Sequence, residues 1–104
     1  MDFKQAAALA TAWVDIVCDG KARIVRHSTI AKPYGWIFFY QSTEFLDNGV
    51  ASSQLAGNAP IVINRNSGEL RVTGTARALE AYLDQYERTL PPAVLQQASQ
   101  PPIW

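Results

Sequence analysis

The stretch that decides the fold is Trp36-Ile37-Phe38-Phe39-Tyr40, a run of large apolar residues without a charge. Successive side chains point to opposite faces of a strand, so this run is apolar on both faces and is typical of a central strand. Left uncovered, it would be an aggregation hazard, and a helix must therefore cover at least one face. The alternative is that the aromatic side chains line a binding groove. The turn-forming residues Lys32-Pro33-Tyr34-Gly35 directly precede the run.

On the N-terminal side of this strand, residues 22–30 favour an edge strand whose alternation is interrupted by Arg23, Arg26 and His27. An amphipathic helix is predicted over residues 3–18. Asp2 and Gln5 can form its capping box, and Asp19-Gly20 ends it. The positions expected to face the core are Ala6, Leu9, Ala10, Trp13, Ile16 and Val17.

On the C-terminal side, Ile61-Val62-Ile63 and Leu70-Arg71-Val72 predict a β-hairpin whose turn uses Gly68 at a positive backbone angle. A second helix is predicted from Ala76 to Arg88, capped by Thr75 and ended by prolines. Its expected buried stripe consists of Leu79, Tyr82, Leu83 and Tyr86.

These elements give the order α-β-β-loop-β-β-α, which predicts an α+β fold. We expect an antiparallel sheet of about four strands in two hairpins, packed by an N-terminal and a C-terminal helix. Residues 1–90 are expected to form one domain, since 104 residues leave no room for a second core. Residues 91–104 form a Gln/Pro-rich tail, which we expect to be partly mobile or docked on a partner.

The charge balance argues against a nucleic-acid partner. Nine basic residues offset nine acidic ones, and the basic residues do not form a patch. The sequence shows neither a signal peptide nor a stretch of membrane-spanning length, so we expect a cytoplasmic protein without a membrane partner, as a monomer or a homodimer. A single cysteine is also typical of a reducing compartment.

Catalysis is a weaker interpretation of this sequence than binding. A small hydrolase would need Cys18 as nucleophile and His27 as its base, but a cysteine at the end of an apolar helix usually acts as a small hydrophobe. His27 is the only histidine, so a metal site would depend on carboxylates such as Asp19 or Glu44. Gly57 precedes a strand rather than a helix, unlike a phosphate-binding loop. We therefore expect no enzyme activity, no metal and no cofactor.

The candidate binding segment is the long loop predicted over residues 43–58, with at most one short helical turn. Loops of this length are uncommon in small domains and are often functional. The residues that could contact a partner are Glu44, Asp47, Asn48, Gln54 and Asn58. Their carboxylates could face a basic groove, where complementary charge speeds association. The alternative is a simple connector.

Three segments resemble the immunity protein 35 family, also described as YrhB-like. They are Tyr34-Gly35-Trp36-Ile37-Phe38-Phe39-Tyr40, Leu55-Ala56-Gly57-Asn58-Ala59-Pro60-Ile61-Val62-Ile63, and Asn66-Ser67-Gly68-Glu69-Leu70 leading to Gly74-Thr75. With the helix that carries Tyr82-Leu83, the resemblance covers most of residues 3–88. The tail after residue 90 is not part of it.

The resemblance implies an antidote protein that is encoded beside a polymorphic or contact-delivered bacterial toxin. Such a protein binds the cognate toxin and blocks it, with a protein as its partner. Some relatives are described as chaperone-like, and a chaperone that holds partly folded clients is the alternative function. The family implies neither the identity of the toxin nor the residues that contact it.

Overall fold

The computed structural model describes residues 1–55 and 58–104, and it shows the predicted α+β architecture. The elements are α1 (Phe3–Val17), β1 (Ala22–Ile24), β2 (Ile30–Lys32), β3 (Gly35–Phe38), β4 (Tyr40–Ser42), α2 (Thr43–Asn48), β5 (Ile61–Asn64), β6 (Leu70–Val72), α3 (Leu79–Glu87) and α4 (Pro92–Leu95). A four-stranded antiparallel sheet has the order β2-β3-β5-β6, and β1 pairs with β4 in a separate two-stranded sheet. Ala56 and Gly57, which belong to one of the family-like segments, lie outside the described residues.

The central strand β3 is buried on both faces, as the sequence predicts. Trp36 and Phe38 point into a cluster beneath α1, whereas Ile37 points into a second cluster beneath α3. All three side chains are fully buried. The sheet therefore lies between two helical layers, and its aromatic run belongs to the core.

The two predicted hairpins are present, but the first is interrupted. β2 pairs with β3 and β5 pairs with β6, both antiparallel. The single edge strand expected over residues 22–30 is instead divided into β1 and β2 by a 3₁₀ turn, Arg26–Ser28, whose Arg26 and His27 are exposed. The expected strand over residues 36–40 is also divided, because Phe39 separates β3 from β4.

Helix α1 has the predicted capping box but a different buried face. The Asp2 side chain accepts a hydrogen bond from the Gln5 backbone at 2.8 Å, and the Gln5 side chain accepts one from the Asp2 backbone at 2.9 Å. The buried positions are Phe3, Ala6, Ala7, Ala10 and Val14. Small alanines let the helix lie close to the bulky rings of the sheet. The prediction that Ile16 and Val17 face the core is wrong, since both are exposed.

Helix α3 covers the other face of the sheet and is shorter than predicted. It begins after Ala78, which provides no side-chain cap, so the expected N-cap at Thr75 is wrong. Leu83 and Tyr86 are buried, and the Tyr34 hydroxyl donates to Glu87 at 2.9 Å. Burial and the neighbouring Glu87 carboxylate both raise the pKa of Tyr34, which keeps its hydroxyl protonated as the donor.

The C-terminal tail packs on the chain itself, contrary to the expectation of a mobile or partner-bound segment. The indole N–H of the buried Trp36 donates to the Gln100 carbonyl at 2.8 Å. The Trp104 ring packs edge-on against Phe3 and Phe38, and the Arg26 guanidinium lies over it at 4.9 Å. These contacts close the end of the aromatic core. No helix in the described residues is both long and apolar enough to cross a membrane.

Candidate functional site

The predicted loop over residues 43–58 is partly helical. The Ser42 hydroxyl accepts a hydrogen bond from the Phe45 backbone at 3.3 Å and caps α2, which Gly49 ends in the left-handed conformation. A 3₁₀ turn, Ala51–Ser53, follows. The prediction of a loop with at most one short helical turn therefore understates the helical content of this segment, because both ends of α2 carry local helix signals.

The five predicted partner-binding residues have different surroundings. Glu44 and Asn48 are exposed on α2, and Gln54 is exposed after the 3₁₀ turn. Asp47 forms an ion pair with Arg23 at 2.8 Å, in which both side chains are about half exposed. Asn58 is partly buried, and its amide donates to the Tyr40 carbonyl at 2.6 Å. The structure thus places three of them on an open surface and gives Asp47 and Asn58 intramolecular contacts as well.

A groove lies between the end of α1 and the α2 segment, and we call it the α1–α2 groove. Its volume is about 630 Å³, and it is open to solvent on one side. It is lined by Val17, Cys18, Lys21, Ala22, Ser42, Thr43, Glu44, Ser53 and Leu55. Among the predicted partner-binding residues, Glu44 lies in this lining.

Gln41 fixes one wall of the α1–α2 groove. Its side-chain oxygen accepts hydrogen bonds from the Leu55 backbone at 2.6 Å and the Ser42 backbone at 2.8 Å. Its amide also donates to the Leu55 carbonyl at 3.4 Å. Because one side chain ties Leu55 to strand β4, this wall is preorganised and need not be ordered when a partner binds.

Two apolar residues at the last turn of α1, both predicted to face the core, are exposed, and one of them, Val17, lines the α1–α2 groove. Ile16 is 80% exposed and Val17 is 56% exposed, at the last turn of α1. Adjacent large apolar residues on an open surface are an informative feature, because such patches often mark interaction sites. No signal in the sequence separates these two residues from the buried positions, because both fit the helical spacing that predicts the core-facing stripe.

Cys18 and His27, the pair that a small hydrolase would use, lie in different parts of the fold, at the α1–α2 groove and in the 3₁₀ turn Arg26–Ser28. The Cys18 thiol lines the α1–α2 groove, and burial raises the pKa of this thiol, which disfavours the reactive thiolate. Within residues 1–55 and 58–104, no hydrogen bond joins Cys18 to His27. No group of three or more metal-ligating side chains in this part of the chain is placed to hold a metal ion.

Comparisons with known proteins give a family and one curated relative. The family model described as immunity protein 35 matches residues 4–87, which run from α1 to the end of α3. The uncharacterized protein YrhB of Escherichia coli (strain K12) is 49% identical over 53 residues, or 51% of this chain and 56% of that protein. The match thus spans about half the length of this curated relative. No solved structure matches the chain.

Proposed function

The chain belongs to the immunity protein 35 family, and on this premise we propose that it binds a cognate polymorphic or contact-delivered bacterial toxin and neutralises it. The protein occludes the active site of the toxin by forming a stoichiometric complex in the cytoplasm. The observation that carries this proposal is the family match, because it covers both helical layers and the whole sheet.

The size of the molecule is compatible with this role. A standard protein interface buries about 800 Å² on each partner. The accessible surface of the chain is 6134 Å², so one face can supply such an area. The segment that begins with α2 is a suitable face, because its ends are capped and Gln41 fixes Leu55. A preorganised surface loses little conformational entropy on binding.

The exposed polar residues of this segment would contact the toxin. Glu44 and Asp47 present carboxylates that can enter a basic substrate groove, and Asn48 and Gln54 add hydrogen-bonding groups beside them. Asn58 would act by holding the segment to Tyr40. The ion pair between Asp47 and Arg23 is about half exposed, and such pairs add little stability. A basic side chain of the toxin can therefore take the place of Arg23 beside Asp47 with little loss of stability.

A chaperone-like function is the alternative, and the exposed Ile16 and Val17 favour it, because a holding chaperone binds partly folded clients through apolar surface. The gene neighbourhood discriminates between the two functions. A toxin-domain reading frame directly upstream favours immunity, whereas an isolated gene favours the chaperone.

Replacing both Glu44 and Asp47 by lysine is expected to weaken protection in cells that co-express the toxin domain encoded upstream. Reversing two charges at an interface slows association and places like charges together, so we expect at least a tenfold loss of affinity at low salt. The loss should shrink as salt screens the charges. Co-expression survival and binding kinetics at two salt concentrations measure the effect.

The matched control is Glu80→Lys with Asp84→Lys, which makes the same charge change on exposed positions of α3. This control should bind the toxin like the wild type, and thermal unfolding should show that both double variants are folded. If the Glu44/Asp47 variant binds the toxin as tightly as the wild type at both low and moderate salt, these carboxylates do not lie at the interface.

A further inference from the structure

The C-terminal tail covers an aromatic pocket that the proposed function does not use. Phe3, Arg26, Thr29 and Phe38 surround the Trp104 ring, and we call this site the Trp104 pocket. Three of the four surrounding residues lie within the family-matched residues 4–87, whereas Trp104 lies outside them. The pocket therefore belongs to the conserved-length domain of the family model, and its occupant belongs to the tail.

The contacts of the Trp104 pocket match the chemistry of an indole. The Phe3 and Phe38 rings meet the Trp104 ring edge-on at centroid distances of 5.1 and 5.9 Å, a geometry that aromatic pairs prefer. The Arg26 guanidinium lies 4.9 Å from the ring centroid, and tryptophan is the best aromatic partner for a cation. The indole N–H donates to the Thr29 hydroxyl at 3.1 Å, a bond that a phenyl ring cannot make. The pocket therefore recognises an indole by shape, charge and hydrogen bonding.

The tail that carries Trp104 is attached to the domain mainly by local contacts. Residues 98–104 form neither a helix nor a strand, and most of them, including Trp104 at 39%, are exposed. Two backbone carbonyls of this segment accept hydrogen bonds from the domain, at 2.9 Å from Arg65 and at 2.8 Å from the Trp36 indole. Segments with little buried surface open at free energies below that of global unfolding. We therefore expect the tail to leave the domain while the sheet stays folded.

We infer that the tail is a releasable cover: Trp104 closes an indole-binding pocket in the free protein, and a tryptophan side chain of a protein partner takes its place when the tail is released. The tail acts as a competing ligand, because a tethered segment has an effective concentration on the order of millimolar. A partner must therefore add contacts elsewhere to displace it. The inference is independent of the proposed function, because no residue of the pocket is assigned to the toxin interface.

The first test uses Trp104→Ala in the ¹⁵N-labelled full chain, which empties the pocket and leaves its surrounding residues unchanged. The probe is 3-methylindole, the analogue of a tryptophan side chain, and toluene is the analogue of phenylalanine. We expect 3-methylindole to bind the variant and to shift the amide signals of Phe3, Thr29 and Phe38. Toluene should bind at least threefold more weakly. A short glycine peptide with a central tryptophan should shift the same signals.

The wild type should bind 3-methylindole at least tenfold more weakly than Trp104→Ala, because its pocket is occupied. Ile103→Ala is the matched control, since it removes an exposed apolar side chain from the same tail, and it should behave like the wild type. Adding Thr29→Val to Trp104→Ala should weaken the binding of 3-methylindole by about threefold or more and leave the binding of toluene unchanged. Absence of binding to folded Trp104→Ala, or equal binding by the wild type and this variant, would overturn the inference.

Hydrogen exchange of the wild-type chain tests the release of the tail without any variant. The Trp36 indole N–H is buried and its acceptor is the Gln100 carbonyl, so this proton exchanges when the tail leaves. We expect it to exchange at least tenfold faster than the slowest amides of β3 and β5. Exchange as slow as that of these amides would show that the tail is a fixed part of the core and would overturn the inference. A wild-type dimer that becomes a monomer in Trp104→Ala would show that the occupant is the tail of a second copy, and would overturn the assignment to another partner.

Discussion

Replacing Trp36 by alanine is expected to lower the free energy of unfolding by about 3 to 5 kcal/mol, the usual cost of truncating a buried aromatic side chain. The Trp36 ring is fully buried, packs edge-on against Phe3, and donates its indole N–H to the Gln100 carbonyl. The variant loses this packing and the anchor of the tail together. Because small domains are stable by only about 5 to 15 kcal/mol, we expect a large fall in melting temperature or no folding.

Two further variants show how much of this loss of stability comes from packing and how much from the hydrogen bond to Gln100. Trp36→Phe keeps most of the apolar volume but loses the hydrogen bond to Gln100, so it should cost less than Trp36→Ala. Phe38→Ala should resemble Trp36→Ala, since Phe38 is also fully buried. Thermal and denaturant unfolding measure all three. If both alanine variants had melting temperatures close to that of the wild type but no longer bound the toxin, the rings would belong to a binding groove and β3 would not be a core strand.

The second large effect is expected for Gly35→Ala. Gly35 begins β3 and pairs with Asn64 on β5, with a φ of 152° that residues with side chains rarely adopt. A Cβ atom here would overlap the Ile63 backbone carbonyl, which cannot move without disrupting the sheet. Backbone strain and overpacking each cost about 1 to 3 kcal/mol, so the variant should be severely destabilised.

Gly20→Ala is the matched control, because Gly20 also has a positive φ, of 70°, but an added Cβ would meet no atom within 4 Å. This variant measures only the cost of a positive φ at a residue with a side chain, and its free energy of unfolding should fall by about 1 kcal/mol. Denaturant unfolding of the two variants compares them directly. Equal stability losses would show that the contact between the β3 and β5 backbones imposes no additional requirement for glycine.

Much of the fold was predictable because its signals are local. The hairpin of β5 and β6 follows from two short, mainly apolar segments joined by a glycine-containing turn, and Gly68 indeed has a φ of 73°. The central position of β3 follows from an uncharged run that is apolar on both faces. The capping box of α1 depends on Asp2 and Gln5, three residues apart.

The remaining features depend on contacts between distant segments. The rotation of α1 follows from how closely Ala7 and Ala10 let the helix approach the sheet, and this leaves Ile16 outside. The tail is held partly by the buried Trp36 N–H, which finds its acceptor at Gln100. The α1–α2 groove has no local signature, because its walls come from separate parts of the chain.

The candidate binding site contains both features that the sequence predicts locally and features that depend on distant contacts. Glu44 and Asn48 could be recognised as exposed polar residues, and the structure places both on the surface of α2. Val17, an apolar residue of the α1–α2 groove, was not predicted to be exposed, because periodicity assigns a helix face without showing where the sheet beneath it ends.

The most direct test of the proposed immunity function is an activity titration of a purified toxin domain taken from a reading frame directly upstream of the gene, if the neighbourhood contains one. At a toxin concentration well above the dissociation constant, we expect activity to fall linearly with added protein and to vanish at one equivalent, with a 1:1 complex in size-exclusion chromatography. Full toxin activity in the presence of excess folded protein would contradict neutralisation by binding. Complete loss at a small fraction of an equivalent would also contradict it, because inactivation would then be catalytic.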